Sequence, residues 1–290
     1  MTTATLTPSP LDGIRLKFGG VLRSEWIKLR SLRSTMWCLG LVVLLSIGFG
    51  LLLALTVDIP SAGNLPDANQ HQLQVQVATL GVNFTQLIVA VLGVLVISGE
   101  YGTGMIRSTF VAAPGRLGAF FAKAIVLAVT TFVVGVVSIA LSAVVAWPIL
   151  AGKGVTISPM DSSVLLPLLG GAGYLTLIAV LAFAFGAILR NSAGGIATIL
   201  GLVLVVPTIL EILTRLTKAT WISNVSAFLP SSAGGKMFAY VDGSTATQAA
   251  DQAAKQGLVY LQSWEGLLVL VAWVAAGLIV GAVLTKRRDV

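Results

Sequence analysis

Charged residues are scarce in this sequence. They make up 10% of its 290 residues, whereas soluble domains typically carry about 25%. Hydrophobic residues account for 56% of the chain, and the mean hydropathy is +0.96. A chain of this composition has too few polar groups to cover a surface that faces water. The scarcity of charge therefore excludes an ordinary soluble domain and predicts an integral membrane protein.

Cysteine and histidine are nearly absent. The single cysteine, Cys38, excludes a disulfide bond within the chain, and the single histidine, His71, falls short of the ligand clusters that structural zinc and di-metal centres need. A phosphate-binding loop is missing as well, because residues 152–154 (Gly-Lys-Gly) lack both the leading glycine and the hydroxyl residue of that motif. We expect no metal or other cofactor in this chain, and no ATP binding through such a loop.

Long apolar segments fill most of the sequence. A membrane-spanning helix needs about 20 apolar residues, because each residue advances the helix by about 1.5 Å and the hydrocarbon layer is about 30 Å thick. Six segments meet this requirement, and the third is long enough to tilt or to break near Pro148. They are residues 36–57, 78–98, 119–150, 164–189, 194–213 and 264–284. The alternating pattern of a β-barrel is absent, so the sequence predicts an all-α integral membrane protein with six spans.

The positions of Lys and Arg predict the orientation, since cytoplasmic loops carry an excess of both. Thirteen lie on one side of the predicted spans and five on the other. The thirteen are Arg15, Lys17, Arg23, Lys28, Arg30, Arg33, Arg107, Arg116, Lys123, Arg190, Lys286, Arg287 and Arg288, and the five are Lys153, Arg215, Lys218, Lys236 and Lys255. Both termini are therefore predicted to be cytoplasmic, with residues 1–35 as a leader and residues 36–290 as the membrane domain. Topology and anionic lipids account for these basic residues, so the net charge of +7 does not indicate nucleic-acid binding.

Ionisable residues are missing from the centres of the predicted spans. Glu100 and Lys123 lie at cytoplasmic ends and Glu211 lies near an outer end. A transporter driven by protons or sodium normally shows a buried carboxylate with a partner within the membrane. We therefore expect the energy for any transport to come from another polypeptide.

The leader has the pattern of a helix that lies in the membrane interface. Its apolar residues fall on one arc of a helical wheel, with basic residues on the flanks. They are Leu11, Ile14, Phe18, Val21, Leu22, Leu29 and Leu32. We expect Gly19 and Gly20 to interrupt the helix, and Glu25, inside the arc, to need a cationic partner or solvent. Either the leader is a basic anchor in which Glu25 pairs with Lys28, or it is a docking helix for a cytoplasmic protein.

The connection between the second and third spans is the second distinctive segment. Glycines at 99, 102 and 104 allow a tight turn, Glu100 is expected near a helix start, and Pro114 with Gly115 ends the segment. It is either an ordinary polar loop or a short structured knob.

A polar stripe runs at helical spacing into the second span, formed by Gln72, Gln76, Thr79, Asn83 and Gln86. It serves either interhelical hydrogen bonds or a substrate path or subunit interface. Small residues on the third span (Thr131, Gly135, Ser138, Ser142) and fourth span (Ala182, Gly186) predict close helix packing. Residues 214–263 are too long for a structureless loop, so we expect helices there, the first part dipping into the outer leaflet and the second exposed.

Three motifs occur in order along the chain: EWIKLR at residues 25–30, GEY at 99–101 followed by GMIR at 104–107 and APGR at 113–116, and LPSSAG at 229–234. Together they resemble the ABC-2 family of ATP-binding-cassette permeases, in the form common in actinobacteria. The resemblance implies a non-catalytic half-transporter in the bacterial plasma membrane. It would pair with a second permease, a copy or a homologue, and with two ATPase subunits that bind ATP and Mg.

The resemblance also implies roles for particular segments. The leader would form an interfacial helix, residues 99–118 would carry a coupling helix seated on the ATPase, and residues 214–263 would form re-entrant helices before the sixth span. The implied ATPase-coupling residues are Glu25, Lys28, Glu100, Tyr101, Gly102, Thr103, Gly104, Met105, Ile106, Arg107, Pro114 and Arg116. Thr79, Asn83 and Gln86 are candidates for the translocation path or the permease interface.

The function that follows from the resemblance is outward movement of a hydrophobic or amphipathic substrate, namely a drug, lipid, peptide or glycan. An immunity or signalling subunit that moves nothing is one alternative. An intramembrane enzyme is another, but it would need a catalytic set such as Ser with His or paired Asp within the membrane, and His71 lies outside the predicted spans.

The charge distribution predicts that residues 214–263 face the outside of the cell. In a Cys38→Ala background, the substitution Ser244→Cys should therefore introduce a thiol that reacts with a membrane-impermeant reagent in intact cells. Reaction only after the membrane has been opened would show that the topology is inverted.

Overall fold

The computed structural model describes residues 17–58, 65–105, 115–241 and 243–287. Within these ranges all regular structure is helical. The helices are α1 (Phe18–Ser31), α2 (Arg33–Thr56), α3 (Asp67–Thr79), α4 (Val82–Thr103), α5 (Arg116–Gly152), α6 (Ser162–Leu189), α7 (Ser192–Leu200), α8 (Val206–Thr217), α9 (Thr220–Ala227), α10 (Pro230–Gly235), α11 (Gly243–Lys255) and α12 (Ser263–Arg287). A π-helical turn, Gly201–Val205, joins α7 to α8.

Six helical segments among the described residues are long and apolar enough to cross a membrane, which confirms the predicted all-α fold with six spans. They are Arg33–Thr56, Asp67–Thr103, Arg116–Gly152, Ser162–Leu189, Ser192–Thr217 and Ser263–Arg287. The third span continues through Pro148 to its end at Gly152, so the break that we considered there does not occur. A proline so close to the end of a helix removes one backbone hydrogen bond without separating two long helical halves.

Helix α6 lies at the centre of the bundle, where it contacts α3, α4, α5, α7 and α12. Its Tyr174 and Phe183 are among the largest fully buried side chains. On the α4 side, Gly93 approaches the carbonyl group of Ala179 so closely that a Cβ atom at position 93 would clash with it. Without a strong hydrophobic force between helices in lipid, such close backbone approach provides much of the packing energy.

The small residues of the third and fourth spans pack against neighbouring helices, as predicted. A Cβ atom added to Gly135 of α5 would lie 3.2 Å from the Cα atom of Ala172 on α6. Ser138 and Ser142 are fully buried, and Gly186 of α6 lies against Val94 of α4. These positions are therefore used for helix packing.

One end of the bundle gathers α1, the last turn of α4, the first turns of α5 and the last turns of α6 and α12. We call it the basic end. The helix ends are joined there by side-chain contacts, which run from Lys28 to Glu100, from Lys123 to Glu100 and from Arg190 to the carbonyl group of Leu284. We call the opposite end, where α3 and α6 begin, the distal end.

At the distal end, two buried glutamines of α3 hold the connection between α5 and α6. The Gln70 amide accepts a hydrogen bond from the Thr156 N–H at 2.7 Å and donates one to the Leu65 carbonyl group at 2.8 Å. The Gln74 amide donates to the Thr156 carbonyl group at 2.9 Å and accepts from the Ser158 N–H at 3.0 Å. The two side chains thus satisfy the backbone of this connection much as a neighbouring strand would.

The segment from residue 214 to 263 contains helices, as predicted, with α9, α10 and α11 following the end of α8. Helix α10 packs against both α6 and α12. Gly234 lies against the Tyr174 ring, and Gly266 of α12 lies against the Ala233 carbonyl group. Most of the α11 side chains that the structure describes are exposed or half-buried. The depth of α9 and α10 in the outer leaflet stays a prediction.

Gln74→Ala should lower the thermal unfolding midpoint of the purified protein. The substitution removes both hydrogen bonds to the connection between α5 and α6 and leaves two partly buried backbone groups without partners. Each such group costs about 1 kcal/mol or more, and each kcal/mol lowers the midpoint by about 2–4 °C in a domain of this size. Circular dichroism in detergent measures the midpoint. Gln72→Ala, at an exposed position of the same helix, is the matched control, and equal shifts in both variants would contradict the assignment.

Candidate functional site

Helix α1 attaches to the bundle through one narrow face. Glu25 and Leu29, one turn apart, are its only buried residues, whereas Phe18, Trp26 and Ile27 are exposed. The helix packs mainly against α5. A contact so narrow, with a carboxylate at its centre, cannot be held by apolar burial alone.

The predicted amphipathic helix is present from Phe18 onward. Gly19 and Gly20 do not interrupt it as we expected, but lie in its first turn. Glycine is tolerated there because the first N–H groups of a helix have no intrahelical acceptor to lose. Leu11 and Ile14 of the predicted apolar arc lie outside the described residues.

Glu25 is the first member of a buried charge network. Its carboxylate is 2.5 Å from the Lys123 amine on α5 and 2.9 Å from the Lys28 amine one turn along α1. Glu100 of α4 completes the network, because its Oε1 atom is 2.8 Å from the Lys123 amine and 3.2 Å from the Lys28 amine. Two carboxylates and two amines therefore neutralise one another, and they join three helices.

Burial makes the four charges of this network depend on close pairing. Glu25, Glu100 and Lys123 are each 4–5% exposed. Moving charges out of water costs several kcal/mol per ion, and only close pairing with good hydrogen bonds offsets that cost. Removing one member leaves a buried charge without compensation, so the four side chains depend on one another.

Glu100 lies near a helix end, not near the helix start that we expected. Helix α4 continues through Gly99 and Gly102 and ends at Thr103, followed by Gly104 in the left-handed conformation (φ 72°). The end of a helix carries a partial negative charge, which disfavours a carboxylate there. Lys123 and Lys28 supply the compensating positive charge. The Glu100 Oε2 atom has no hydrogen-bond partner among the described residues.

Lys28 is the most accessible member of the network, with its side chain 30% exposed. Burial by itself lowers the pKa of Lys28, but the hydrogen bonds and negative charges of Glu25 and Glu100 outweigh it and raise the pKa above its ordinary value of 10.5. Because the pKa is higher in the folded protein, the contribution of this charge to stability is complete below pH 10.5 and is lost only as the pH rises through the folded pKa. Lys28 therefore stays protonated throughout the physiological range.

A second contact ties the basic end together through Arg190. This residue ends α6 in the left-handed conformation (φ 53°), and its guanidinium carbon lies 4.9 Å from the centroid of the Tyr101 ring on α4. It also donates a hydrogen bond of 3.4 Å to the carbonyl group of Leu284 on α12. The cation–π contact and this hydrogen bond connect the ends of α4, α6 and α12.

The other predicted coupling residues lie around the end of α4. Gly102, Thr103, Gly104 and Met105 are exposed, and Arg116 begins α5. Ile106, Arg107 and Pro114 lie outside the described residues. The exposed end of α4 is thus the part of the predicted coupling segment that is open to a partner, whereas the carboxylates of Glu25 and Glu100 face the interior.

The polar stripe of α3 and α4 divides into two parts. Gln72, Gln76, Thr79 and Asn83 line a cavity of about 270 Å³ beside the segment from Gly235 to Tyr240. Gln86 lies deeper, where its carbonyl oxygen accepts a hydrogen bond from the Tyr174 hydroxyl group of α6. Gln86 therefore serves interhelical hydrogen bonding, and the remainder of the stripe lines an open groove.

From the sequence alone, Lys123 and Arg190 of the basic end were not identified as site residues. A lysine within an apolar span was the available signal for the first, since such a group requires a partner. The same network corrects a premise of the sequence argument, because buried carboxylates paired with a lysine do occur in this protein. They lie at the end of the bundle and not along a path through its centre.

A family model described as ABC-2 family transporter protein matches residues 21–208. The matched range contains all four residues of the charge network, the contact between Tyr101 and Arg190, and the polar stripe of α3 and α4. A search of curated proteins found no match.

Lys123→Met should destabilise the protein strongly, since it leaves two buried carboxylates facing only Lys28. Breaking a buried ion pair in this way costs about 3–5 kcal/mol. The thermal midpoint in detergent measures the effect, and Lys255→Met, at an exposed lysine of α11, is the control. Adding Glu25→Gln and Glu100→Gln to Lys123→Met should restore much of the loss. Failure of this restoration would mean that shape and not charge makes Lys123 important.

Proposed function

We propose that this chain, which belongs to the ABC-2 family of transporter proteins, is the membrane-spanning permease subunit of an exporter. It is a multi-pass membrane protein with six spans, and we place it in the bacterial plasma membrane with the basic end in the cytoplasm. In this assignment the chain is non-catalytic. Separate ATPase subunits, two per transporter, bind ATP and Mg, and a second permease, a copy or a homologue, completes the membrane part.

The buried charge network is the observation that carries the proposal. It joins α1, α4 and α5 next to the exposed end of α4, where a partner has access to Gly102, Thr103 and Met105. A displacement of the end of α4 would move α1 and α5 with it, because separating these helices would expose buried charges to one another or to lipid. The network therefore suits a site at which a cytoplasmic partner applies force.

Helix α4 supplies the connection to the other side of the membrane. It packs along the central helix α6 through close contacts such as Gly93 against Ala179, and a tightly packed helix moves as a unit. Its other end reaches the groove at Asn83, which is lined by amides and by the aromatic rings of Phe238 and Tyr240. We propose that this groove is part of the translocation path.

The groove favours a substrate with both polar and apolar parts. Amide side chains donate and accept hydrogen bonds, and aromatic rings contact hydrocarbon. The described residues that line it carry no charge. An amphipathic molecule, such as a lipid, drug, peptide or glycan conjugate, fits these properties better than a small ion.

Met105→Asp should weaken coupling without unfolding the protein. Met105 is 43% exposed at the end of α4, so a charge there disturbs a partner contact more than the fold. Placing an unpaired carboxylate in a protein contact costs at least about 1 kcal/mol. The ATP hydrolysis rate of the purified permease–ATPase complex at limiting subunit concentration should therefore fall at least about fivefold. Met160→Asp, at a methionine that is 85% exposed near the distal end, is the matched control. Normal hydrolysis by Met105→Asp at a normal thermal midpoint would remove this residue from the contact.

A second arm of the same experiment tests the energy source. Export of a fluorescent amphipathic dye by the reconstituted complex should persist when a protonophore collapses the proton gradient at constant ATP. Because Glu25 and Glu100 are buried beside Lys123, a proton-driven transporter is the competing interpretation. Loss of export under the protonophore would favour it.

A further inference from the structure

The bend between α1 and α2 contains a cavity that the charge network does not use. Its volume is about 390 Å³, and it is lined by Arg30, Ser31, Arg33, Met36, Trp37 and Gly40. We propose that this cavity binds one anionic phospholipid, with the phosphate group at the two arginines and an acyl chain along α2. The proposal does not depend on the transport function proposed above.

The charge of the cavity is positive and uncompensated. Neither Arg30 nor Arg33 has an ion pair or a side-chain hydrogen bond within the described part of the chain, and both are exposed. The nearby carboxylates, Glu25 and Glu100, are already paired with Lys28 and Lys123. The described residues that line the cavity include no carboxylate. Two guanidinium groups facing one space are suited to a phosphate group, which accepts several hydrogen bonds from such donors.

The wall below the arginines is apolar. Met36, Trp37 and Gly40 follow Arg33 at helical spacing, so they lie on the same face of α2. Met36 is 53% exposed and Trp37 is 73% exposed, and tryptophan favours the depth of the lipid headgroups. The cavity thus passes from a cationic rim to a hydrocarbon-facing wall within about two turns of helix.

The same side of α2 stays open further into the span. Apart from α2 itself, no described residue lies within 4 Å of a Cβ atom added at Gly40, and Leu44, one turn beyond Gly40, is 65% exposed. An acyl chain can therefore lie against this apolar surface below the arginines. A ligand with an anionic head and an acyl tail is complementary to the surface from Arg30 to Leu44.

Other occupants fit less well. A second copy of the chain seated here through the same surface would bring arginines against arginines, because the lining residues offer no opposite charge. A free anion such as inorganic phosphate would leave the apolar wall of Met36, Trp37 and Gly40 without a contact. The excess of basic residues at this end accounts for charge near the headgroups, but it does not require a cavity with an apolar wall below the arginines. An anionic phospholipid uses all of these features.

The bound lipid would brace the bend between the two helices. Helix α1 has only Glu25 and Leu29 buried against the bundle, so a ligand held between its last turn and α2 adds a second attachment. The position of Lys28, two residues before Arg30 of the cavity, would then depend on lipid occupancy. The lipid composition of the membrane would in this way influence the geometry of the charge network.

Native mass spectrometry of the intact chain released from nanodiscs tests the proposal. With phosphatidylglycerol in the nanodisc, one lipid per chain should be retained, and phosphatidylcholine should not replace it. Because each basic residue near an anionic lipid strengthens its binding, Arg30→Gln combined with Arg33→Gln should weaken retention of phosphatidylglycerol at least about tenfold. Lys218→Gln combined with Lys255→Gln, which removes two exposed charges elsewhere, should leave it unchanged.

Gly40→Leu provides a second variant with a different mechanism. It places an apolar side chain in the cavity, where an added Cβ atom has open space and no described neighbour outside α2 within 4 Å, so both arginines remain and the backbone has no clash to relieve. Retention of phosphatidylglycerol should fall to the level of the double arginine variant. The arginine variant removes the charge of the cavity, whereas Gly40→Leu occupies its volume. If one of the two variants fails to fold, the other still tests whether the cavity binds the lipid.

Three results would overturn the proposal. Equal retention of phosphatidylglycerol and phosphatidylcholine would show that the headgroup charge is not recognised. Displacement of the lipid by soluble glycerol phosphate at millimolar concentration would show an anion site that needs no acyl chain. Unchanged lipid retention in Gly40→Leu, together with loss of a permease–permease complex, would show that this face of α2 binds protein.

Discussion

The buried charge network of Glu25, Lys28, Glu100 and Lys123 is the interaction on which the basic end depends. Helix α1 buries too little apolar surface to hold its position by packing, and α4 ends with a carboxylate where its own dipole disfavours one. Lys123 of α5 pairs with Glu25 and so holds α1 in position. Lys123 and Lys28 also pair with Glu100 and so compensate the carboxylate at the end of α4. Because every member lies near an opposite charge and three of the four are almost completely buried, none of these helices can shift alone without a large electrostatic cost.

The remainder of the bundle is held by short-range contacts that suit a membrane environment. The backbones of α4, α5 and α6 approach closely at glycine, alanine and serine positions, and the buried amides of α3 satisfy the backbone of the connection at the distal end. Such van der Waals contacts and hydrogen bonds are lost when the helices separate by even a small distance. In the exporter mechanism that we propose, a movement imposed at the basic end would be carried along α4 and α6 to the amide-lined groove near Asn83.

Two exposed features flank the network, namely the end of α4 and the arginine-lined cavity at the bend between α1 and α2. One is suited to a protein contact and the other to a lipid headgroup, and both lie within about one helical turn of network residues. Glu100 is three residues from Thr103, and Lys28 is two residues from Arg30. In the proposed mechanism the network would therefore respond to an ATPase on one side and to the inner leaflet on the other.

The sequence by itself determined the six spans, their order and the close-packed faces, because these follow from the length of apolar runs and from residue size. It also placed Gln72, Gln76, Thr79 and Asn83 in one polar stripe, which the structure divides between α3 and the start of α4. It did not identify Gln70 and Gln74 as the buried amides, since α3 is polar on several faces and periodicity alone does not say which face meets the bundle. Nor did it identify the partners of Glu25 and Glu100, for Lys123 is 98 residues from the first and 23 from the second. Only the tertiary structure decided these pairings, because an ion pair depends on distance in space, and the packing of α1, α4 and α5 brings the charges together.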